Sequence, residues 1–175
     1  MISKMQEKRV SIRRYNFNEA KYDRFYAIAK QSFKHGSPWT EEQYRETLSR
    51  KDLVFFVAEI ETHLIGYIGG KLSLDEANVY TIVVSKEFQQ QQVAHFLLDR
   101  FEEECHSANI NTIFLEVRES NEIAQSFYLK NEFEVIAAKK DYYTHPIENA
   151  IIMKSKSRKK AEHGKEADFS YRDKL

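Results

Sequence analysis

Three strand-like runs follow one another in the middle of the chain, separated only by short turns. The runs LVFFVAE (53–59), HLIGYIGGKLS (63–73) and ANVYTIVV (77–84) are rich in β-branched, aromatic and aliphatic residues, which is typical of strands. Connections this short join antiparallel neighbours, because a parallel pair needs a crossover of a dozen or more residues. We therefore expect a three-stranded antiparallel meander, which excludes an all-helical fold.

The segment before the meander predicts one strand and two helices. Residues 9–15 alternate as a strand does, and Asn18 is placed to cap a helix over roughly 19–32. Thr40 followed by Gln43 matches a capping box, which predicts the start of a second, short helix.

The segment after the meander alternates between helices and strands. Its predicted elements are a helix over 92–107, a strand over 113–118, a helix over 121–130, and strands over 133–139 and 148–154. The resulting order, β-α-α-β-β-β-α-β-α-β-β, does not alternate throughout, so it is not a doubly wound nucleotide-binding fold. It predicts an α/β fold in which a mixed sheet of about seven strands is flanked by about four helices.

Length and charge indicate one domain followed by a basic tail. A chain of 175 residues with 42% hydrophobic residues can bury a core, and no linker interrupts residues 1–153. Of the 27 basic and 27 acidic side chains, eight basic and four acidic ones lie within residues 154–175, so this tail carries +4 and the domain −4. We expect a flexible tail, and an acidic domain that suits a basic protein or peptide substrate rather than direct nucleic-acid binding.

Several other classes of protein are disfavoured. No apolar run approaches the roughly 20 residues that a membrane helix needs, and the N-terminus lacks the apolar stretch of a secretory signal. We therefore expect a cytoplasmic protein that makes no membrane contact. The single cysteine, Cys105, lies on an apolar helix face, which predicts a packed side chain rather than a nucleophile. The histidines show no metal-ligand spacing, so we expect no metal.

Two residues of the second half are candidates for acid–base chemistry. Glu116 occupies the middle of strand 113–118, where partial desolvation would raise its pKa towards that of a general base. Tyr128 can present its hydroxyl to a cleft as a proton donor. The alternatives are a salt-bridged carboxylate and a core tyrosine. The polar loop before helix 92–107 is placed to bind phosphate at a helix N-terminus, but it has no glycine, and an ordinary loop is the alternative.

A set of motifs indicates a family. The run LEVRESNEIAQSFYLKNEF (115–133) is followed by KKDYY, a proline and ENAIIM, while PWTE stands at 38–41 and an E-A-x-x-x-x-I-x-V pattern at 76–84. Over about residues 10–153 the chain thus resembles the GNAT acetyltransferases, and more closely the RimI-type ribosomal-protein-alanine N-acetyltransferases. The resemblance implies acetyl-CoA as cosubstrate without a metal. It also implies the N-terminal alanine of a small-subunit ribosomal protein, the eighteenth in the standard series, as acceptor.

The resemblance also implies roles for particular residues. Glu116 matches the family's general base, and Tyr128 matches the general acid that protonates the departing CoA thiolate. Trp39, Tyr142 and Tyr143 are expected to line the peptide groove, although core packing beneath the second helix is the alternative for Trp39. The expected CoA-binding positions are Ile82, Val83, Val84, Gln89, Gln90, Gln91, Gln92, Val93, Ala94, His95 and Asn121.

One position departs from the family's Q/R-x-x-G-x-G/A motif. Gln92 stands where the motif has its first glycine, so we expect its side chain to crowd the pyrophosphate or the backbone to adopt a different conformation. A non-catalytic GNAT module with weakened CoA binding is therefore one alternative, although Glu116 and Tyr128 favour catalysis. Another alternative is an acetyltransferase for lysine, polyamine or small-molecule amines.

Overall fold

A computed structural model describes residues 8–155 and 169–171, and for Lys8 and 169–171 it describes the backbone alone. Within this part of the chain, no helix is long and apolar enough to cross a membrane. The described residues form two 3-10 turns, Phe17–Glu19 and Lys86–Phe88, together with four α-helices and eight strands. The helices are α1 (Tyr22–Ser32), α2 (Glu41–Leu48), α3 (Val93–Ser107) and α4 (Glu122–Lys130). The strands are β1 (Lys8–Arg14), β2 (Leu53–Ile60), β3 (His63–Leu72), β4 (Ala77–Val84), β5 (Ile113–Arg118), β6 (Phe133–Thr144), β7 (Ile147–Ser155) and β8 (Phe169–Tyr171).

All the strands form one sheet in the order β6-β7-β5-β4-β3-β2-β1-β8. Among the described strands, only β4 and β5 are parallel neighbours, and every other pair is antiparallel. The predicted mixed sheet of seven strands with four helices is confirmed, and β8 adds an eighth strand beside β1. The rest of the predicted tail after Ser155, residues 156–168 and 172–175, lies outside the described residues.

The first helix begins later than the sequence predicted. Asn18 does not cap it; Asn16 instead caps the 3-10 turn Phe17–Glu19, and α1 starts only at Tyr22. The break lies at Ala20, which adopts the left-handed conformation with a φ of 52° and so interrupts helical geometry.

Of two further predicted boundaries, one agrees with the structure and one does not. The Thr40–Gln43 capping box is confirmed, because the Thr40 side chain accepts a hydrogen bond from the Gln43 backbone and the Gln43 side chain accepts one from the Thr40 backbone. By contrast, β6 does not end near Lys139 but continues to Thr144. Most of β6 is exposed, so the alternation of apolar and polar residues that marks a half-buried strand is missing there.

The two faces of the sheet carry separate cores, because alternate residues of a strand point to opposite faces. On one face, α3 and α4 pack over the sheet, and the core there includes Val54 and Phe56 of β2, Leu97 and Phe101 of α3, and Tyr128 of α4. On the other face, α1 and α2 pack over the sheet, and the core there includes Phe25 of α1, Tyr44 of α2, Phe55 and Val57 of β2, and Tyr67 of β3. Full burial of one such large apolar side chain contributes about 1.5–3 kcal/mol.

Cys105 belongs to the core beneath α3, with 1% of its surface exposed. Burial raises the pKa of its thiol to about 12, so the nucleophilic thiolate is not formed near neutral pH. The prediction of a packed cysteine is confirmed.

The parallel pair β4 and β5 opens into a fork. The two strands pair only over residues 77–79 and 113–115, although both continue beyond this point. The opening coincides with a bulge at Tyr80, which is left without a partner because Val79 pairs with Gly70 and Thr81 with Gly69. Gly70 permits this close packing, since a Cβ there would lie 2.2 Å from the Asn78 carbonyl oxygen.

Candidate active site

The β4 side of the fork is formed by the end of that strand. Ile82, Val83 and Val84 pair with β3 on one side, and within the described residues their other edge has no strand partner. A strand edge of this kind presents backbone N–H and C=O groups to a ligand. Gln89 reaches back to it, since its Nε2 donates to the Val84 carbonyl oxygen at 3.0 Å. The structure thus brings two parts of the predicted CoA site together.

The loop after β4 leads into the N-terminus of α3. Helix α3 begins at Val93 without a side-chain cap and without an acidic residue in its first turn. The backbone N–H groups of Val93, Ala94 and His95 therefore have no partner within the helix, and the helix dipole favours an anion beside them. This geometry suits the pyrophosphate position that the resemblance implies.

Gln92 takes the backbone conformation that glycine usually supplies. Its φ is 65° and its ψ is 2°, and Gln90 also has a positive φ of 60°. A non-glycine residue in this region costs about 1–2 kcal/mol. The chain therefore accommodates the missing motif glycine with two glutamines in a strained backbone conformation. The Gln92 side chain is exposed and precedes the N–H groups at the start of α3.

The remaining side chains predicted to bind CoA are engaged within the protein. Gln91 donates from Nε2 to the Glu87 carbonyl oxygen at 2.9 Å. His95 donates from Nδ1 to Asn131 Oδ1 at 2.7 Å, which ties the start of α3 to the end of α4. Asn121 caps α4 by accepting a hydrogen bond from the Ala124 backbone at 3.1 Å. These three residues order the backbone around the fork.

Glu116 lies on β5 just beyond the last pair with β4 and points away from the core under α3. Its Oε2 accepts a hydrogen bond from the Tyr142 hydroxyl at 2.6 Å, and its Oε1 is paired with the Lys139 ammonium. Partial burial acts to raise the pKa of Glu116, but the bonds from Lys139 and Tyr142 outweigh it and the pKa is lowered. The predicted upward shift is therefore wrong, since the sequence did not reveal the lysine.

Tyr128 lies on the opposite face of the sheet from Glu116. Its ring packs in the core under α3, with the Phe127 and Phe133 ring centroids 5.3 and 5.5 Å away, and the residue is 5% exposed. Within the described residues, the Tyr128 hydroxyl makes no hydrogen bond. It is not fully enclosed either: the fully enclosed polar atoms without a partner in this part of the chain are Ser32 Oγ and Thr81 Oγ1. Burial raises the pKa of Tyr128, so the hydroxyl stays protonated. It is a proton donor without a protein acceptor.

The aromatic residues predicted for the acceptor groove separate into two places. Tyr142 and Tyr143 lie together on β6, with ring centroids 5.1 Å apart, and Tyr142 contacts Glu116. Trp39 is half-buried at the start of α2 and packs edge-on against Tyr44 at 5.1 Å. The core contact that was the alternative for Trp39 is therefore present.

Arg118 and Glu148 organise the turn between β6 and β7, and no role was predicted for either residue. Arg118 Nη1 lies 3.0 Å from Glu148 Oε2, and its Nη2 donates to the His145 carbonyl oxygen at 3.1 Å. The guanidinium also covers the Tyr143 ring. Arg118 lies two residues beyond Glu116, hence on the same face of β5, and it ends the LEVR run; these sequence features point to it.

A surface cavity of about 450 Å³ adjoins this turn. It lies between the chain that follows α1 and the β6–β7 turn, on the face where Glu116 and Arg118 point. Both signs of charge are present in its lining, with Lys34 basic and Glu119 and Glu148 acidic. The lining residues are Lys34, His35, Glu119, Ser120, Pro146, Ile147 and Glu148. Among the described residues, no group of three or more histidine, cysteine, aspartate or glutamate side chains is arranged to hold a metal ion.

Comparison with known proteins identifies the family to which this chain belongs. Residues 21–133 match the Acetyltransferase (GNAT) family, so the chain belongs to this family and is an acetyl-CoA-dependent N-acetyltransferase. A Bacillus subtilis (strain 168) protein with the provisional name ribosomal protein bS18-alanine N-acetyltransferase is 34% identical over 132 residues, covering 75% of this chain and 86% of its own. The Haemophilus ducreyi ribosomal protein bS18-alanine N-acetyltransferase is 32% identical over 138 residues, covering 77% and 93%.

Solved structures share the fold. The crystal structure of the ribosomal-protein-S18-alanine N-acetyltransferase from Escherichia coli superposes with a TM-score of 0.75 at 24% identity, covering 87% of this chain and 97% of that one. Ard1 from Thermoplasma volcanium superposes with a TM-score of 0.73 at 26% identity, covering 83% and 95%.

Proposed function

We propose that this protein transfers the acetyl group of acetyl-CoA to the N-terminal α-amine of a protein, and that its acceptor is the N-terminal alanine of ribosomal protein bS18. The names of the relatives that are 32–34% identical over most of their length support this acceptor. The observation that carries the reaction is the β4–β5 fork, with the Glu116 carboxylate on one face of the sheet and the Tyr128 hydroxyl on the other. A protein that acetylates a ribosomal protein works in the cytoplasm.

The fork and the start of α3 fit the shape and charge of acetyl-CoA. The open edge of residues 82–84 offers backbone hydrogen bonds to an amide-bearing arm, and the loop 89–95 offers N–H groups to a diphosphate. Asn121 lies at the start of α4, where its Nδ2 is available for a further contact. Bound acetyl-CoA supplies a thioester that reacts with a neutral amine.

Glu116 attracts the acceptor and accepts its proton. Because the pKa of this carboxyl is lowered, it stays ionised and favours a cationic N-terminus beside it. An α-amine has a pKa of about 7.7–8.0, so a modest base suffices to make it a neutral nucleophile. The low pKa of Glu116 is compatible with this role because the amine is already close to deprotonation at neutral pH.

Tyr128 donates a proton to the departing thiolate. Its raised pKa keeps the proton on the hydroxyl until a strong base arises beside it, and the absence of a protein acceptor leaves the donor free. No covalent intermediate on the protein is required, which agrees with the burial of Cys105.

The acceptor peptide is proposed to lie along Tyr142 and Tyr143, with Trp39 on the far wall of the groove. Rigid aromatic side chains give contact area at low entropic cost. The net charge of −4 on the domain adds a long-range attraction for a basic ribosomal protein.

A panel of acceptors tests the proposal. Peptides that begin with the bS18 sequence but differ in their first residue are compared with free lysine, a polyamine and an aminoglycoside, using acetyl-CoA and the full chain. We expect the alanine peptide to give the highest kcat/KM, and Glu116→Gln to lower it. A higher kcat/KM for a free amine would overturn the acceptor assignment. Failure of acetyl-CoA to bind at millimolar concentration in a calorimeter would overturn catalysis altogether.

A further inference from the structure

The Glu116 carboxylate already holds an amine of the same chain. Lys139 Nζ is paired with Glu116 Oε1, and it lies 5.0 Å from the centroid of the Tyr142 ring. The side chain of Lys139 keeps 47% of its surface exposed, so it is free to move on its four-carbon stem. An acceptor amine must lie within hydrogen-bond reach of the same carboxylate if Glu116 is to take its proton.

The sheet register imposes this arrangement. Arg118 on β5 pairs with Ala150 on β7, and Ala150 pairs with Lys139 on β6. Residues opposite one another in neighbouring strands point to the same face, so Lys139 projects on the face of Arg118 and Glu116. The pairing of Lys139 with Glu116 therefore follows from the register of the sheet.

We propose that Lys139 is a site of intramolecular acetylation, in which this enzyme transfers the acetyl group of its own bound acetyl-CoA to Lys139 Nζ. This inference rests on the proposed function of Glu116 and Tyr128. In the step, the Lys139 ammonium first releases one proton to solvent. The neutral Nζ then forms the N–C bond to the acetyl carbonyl carbon and loses its second proton to Glu116, which passes a proton on to Tyr128 through solvent after Tyr128 has donated its own. The C–S bond of the thioester breaks, and the thiolate of CoA takes a proton from Tyr128. The products are N-acetyllysine and free CoA, so no other reactant is required.

Position selects Lys139 over the other lysines near the fork. Among the described residues, it is the one cation paired with Glu116. Lys140 follows it on β6 and makes no ion pair within the described part of the chain, so it provides a matched control. Lys154 lies on β7 with its ammonium 5.9 Å from the Phe114 ring centroid, and it provides a second one.

Acetylation of Lys139 changes the charge at the proposed base. The ammonium becomes a neutral amide, and Glu116 Oε1 loses its ionic partner. The modified enzyme then has a carboxylate that is open to an incoming N-terminal ammonium, so the modification relieves a competition between Lys139 and the acceptor.

The experiment uses the full chain with acetyl-CoA, without and with the alanine peptide. The acetyl-CoA is then removed, and the chain is mapped by peptide mass spectrometry. We expect one acetyl group on Lys139, formed at a first-order rate that is independent of protein concentration. Glu116→Gln is expected to slow this rate by about 10²–10⁴-fold, and Tyr128→Phe serves as a second variant with the same expectation. Slow chemical acetylation of Lys140 and Lys154 is expected to be unchanged in both variants.

Failure of this inference and failure of the proposed function have different outcomes. If the peptide is acetylated while Lys139 is modified no faster than Lys140, the inference is wrong and the proposed function stands. If neither is acetylated, the proposed function fails. A rate on Lys139 that rises with protein concentration, or that is restored in Glu116→Gln chains by added wild-type enzyme, would overturn the intramolecular step.

Discussion

The guanidinium of Arg118 lies over the ring of Tyr143, with its central carbon 4.1 Å from the ring centroid. The same group contacts Glu148 and the carbonyl oxygens of His145 and Pro146, so one side chain joins the end of β5 to the β6–β7 turn. Because Tyr143 is proposed to line the acceptor groove, Arg118 holds one wall of that groove in place.

Replacing Arg118 by lysine is expected to weaken acceptor binding. A lysine keeps one charge but loses the planar fork and part of the stacking on Tyr143, which together are worth about 1–2 kcal/mol. We expect KM for the peptide to rise about 10-fold in steady-state assays, with acetyl-CoA affinity unchanged in a calorimeter. Arg14→Lys is the control, because Arg14 pairs with Glu104 far from the groove. Equal KM values for the two variants would contradict this role.

Tyr128→Phe is expected to lower turnover without destabilising the fold. The hydroxyl makes no hydrogen bond among the described residues, so its loss leaves no partner unpaired. Turnover should fall by about 10²–10⁴-fold while the affinity for acetyl-CoA and the unfolding midpoint stay close to wild type. Full turnover combined with lost acetyl-CoA affinity would instead make Tyr128 a wall of the binding site.

Lys139→Met is expected to shift the pH dependence of acetyl transfer to the peptide, compared with initial rates of the wild-type chain while its Lys139 is unmodified. The pKa of Glu116 is lowered in part by Lys139, so removing this ammonium raises it. The ionised carboxylate then persists only at higher pH, and the acidic limb of the kcat/KM profile moves upward. Lys140→Met should leave the limb in place. Carbon NMR of the Glu116 carboxyl group measures the same pKa in the absence of catalysis. An unchanged Glu116 pKa in Lys139→Met would refute the effect of Lys139 on this carboxylate.

Gln92→Gly is expected to relieve backbone strain. The left-handed φ of 65° costs a glutamine about 1–2 kcal/mol, while the extra freedom of glycine in the unfolded chain offsets about 0.5–1 kcal/mol. The free energy of unfolding in urea should therefore rise by up to about 1 kcal/mol, and acetyl-CoA should bind more tightly if the side chain crowds the diphosphate. Gln92→Ala separates the two effects, because it removes the side chain but keeps the strain. Stability gains of equal size in both variants would exclude the backbone explanation.

Glu19 is expected to make the fold sensitive to acid. Its hydrogen bond from Arg13 lowers the pKa of this carboxyl from 4.5 to about 2. A lowered folded-state pKa contributes stability that is present above the unfolded-state value and is lost as the pH falls towards 2. Glu19→Gln should flatten this part of the stability profile, measured by urea unfolding at several pH values. An unchanged slope in Glu19→Gln would contradict this role.

Much of the architecture followed from local patterns. Strands β2 to β5 and helices α3 and α4 were placed to within about two residues, because their apolar positions have the period of the element that they form. The Thr40–Gln43 cap was found from four consecutive residues, since both of its hydrogen bonds are local. The LEVR and YY motifs predicted the family, which the match over residues 21–133 confirms.

The family and most of the elements in their order can be predicted from neighbours along the chain, because local periodicity and motifs carry them. The state of Glu116 cannot, since Lys139 is 23 residues away and the register of β5, β7 and β6 brings the two together. The tertiary structure also decided that β4 and β5 part after three pairs, and that Gln92 takes a left-handed conformation. Contacts across a sheet and backbone strain arise from the packing of distant segments, so no local pattern reports them.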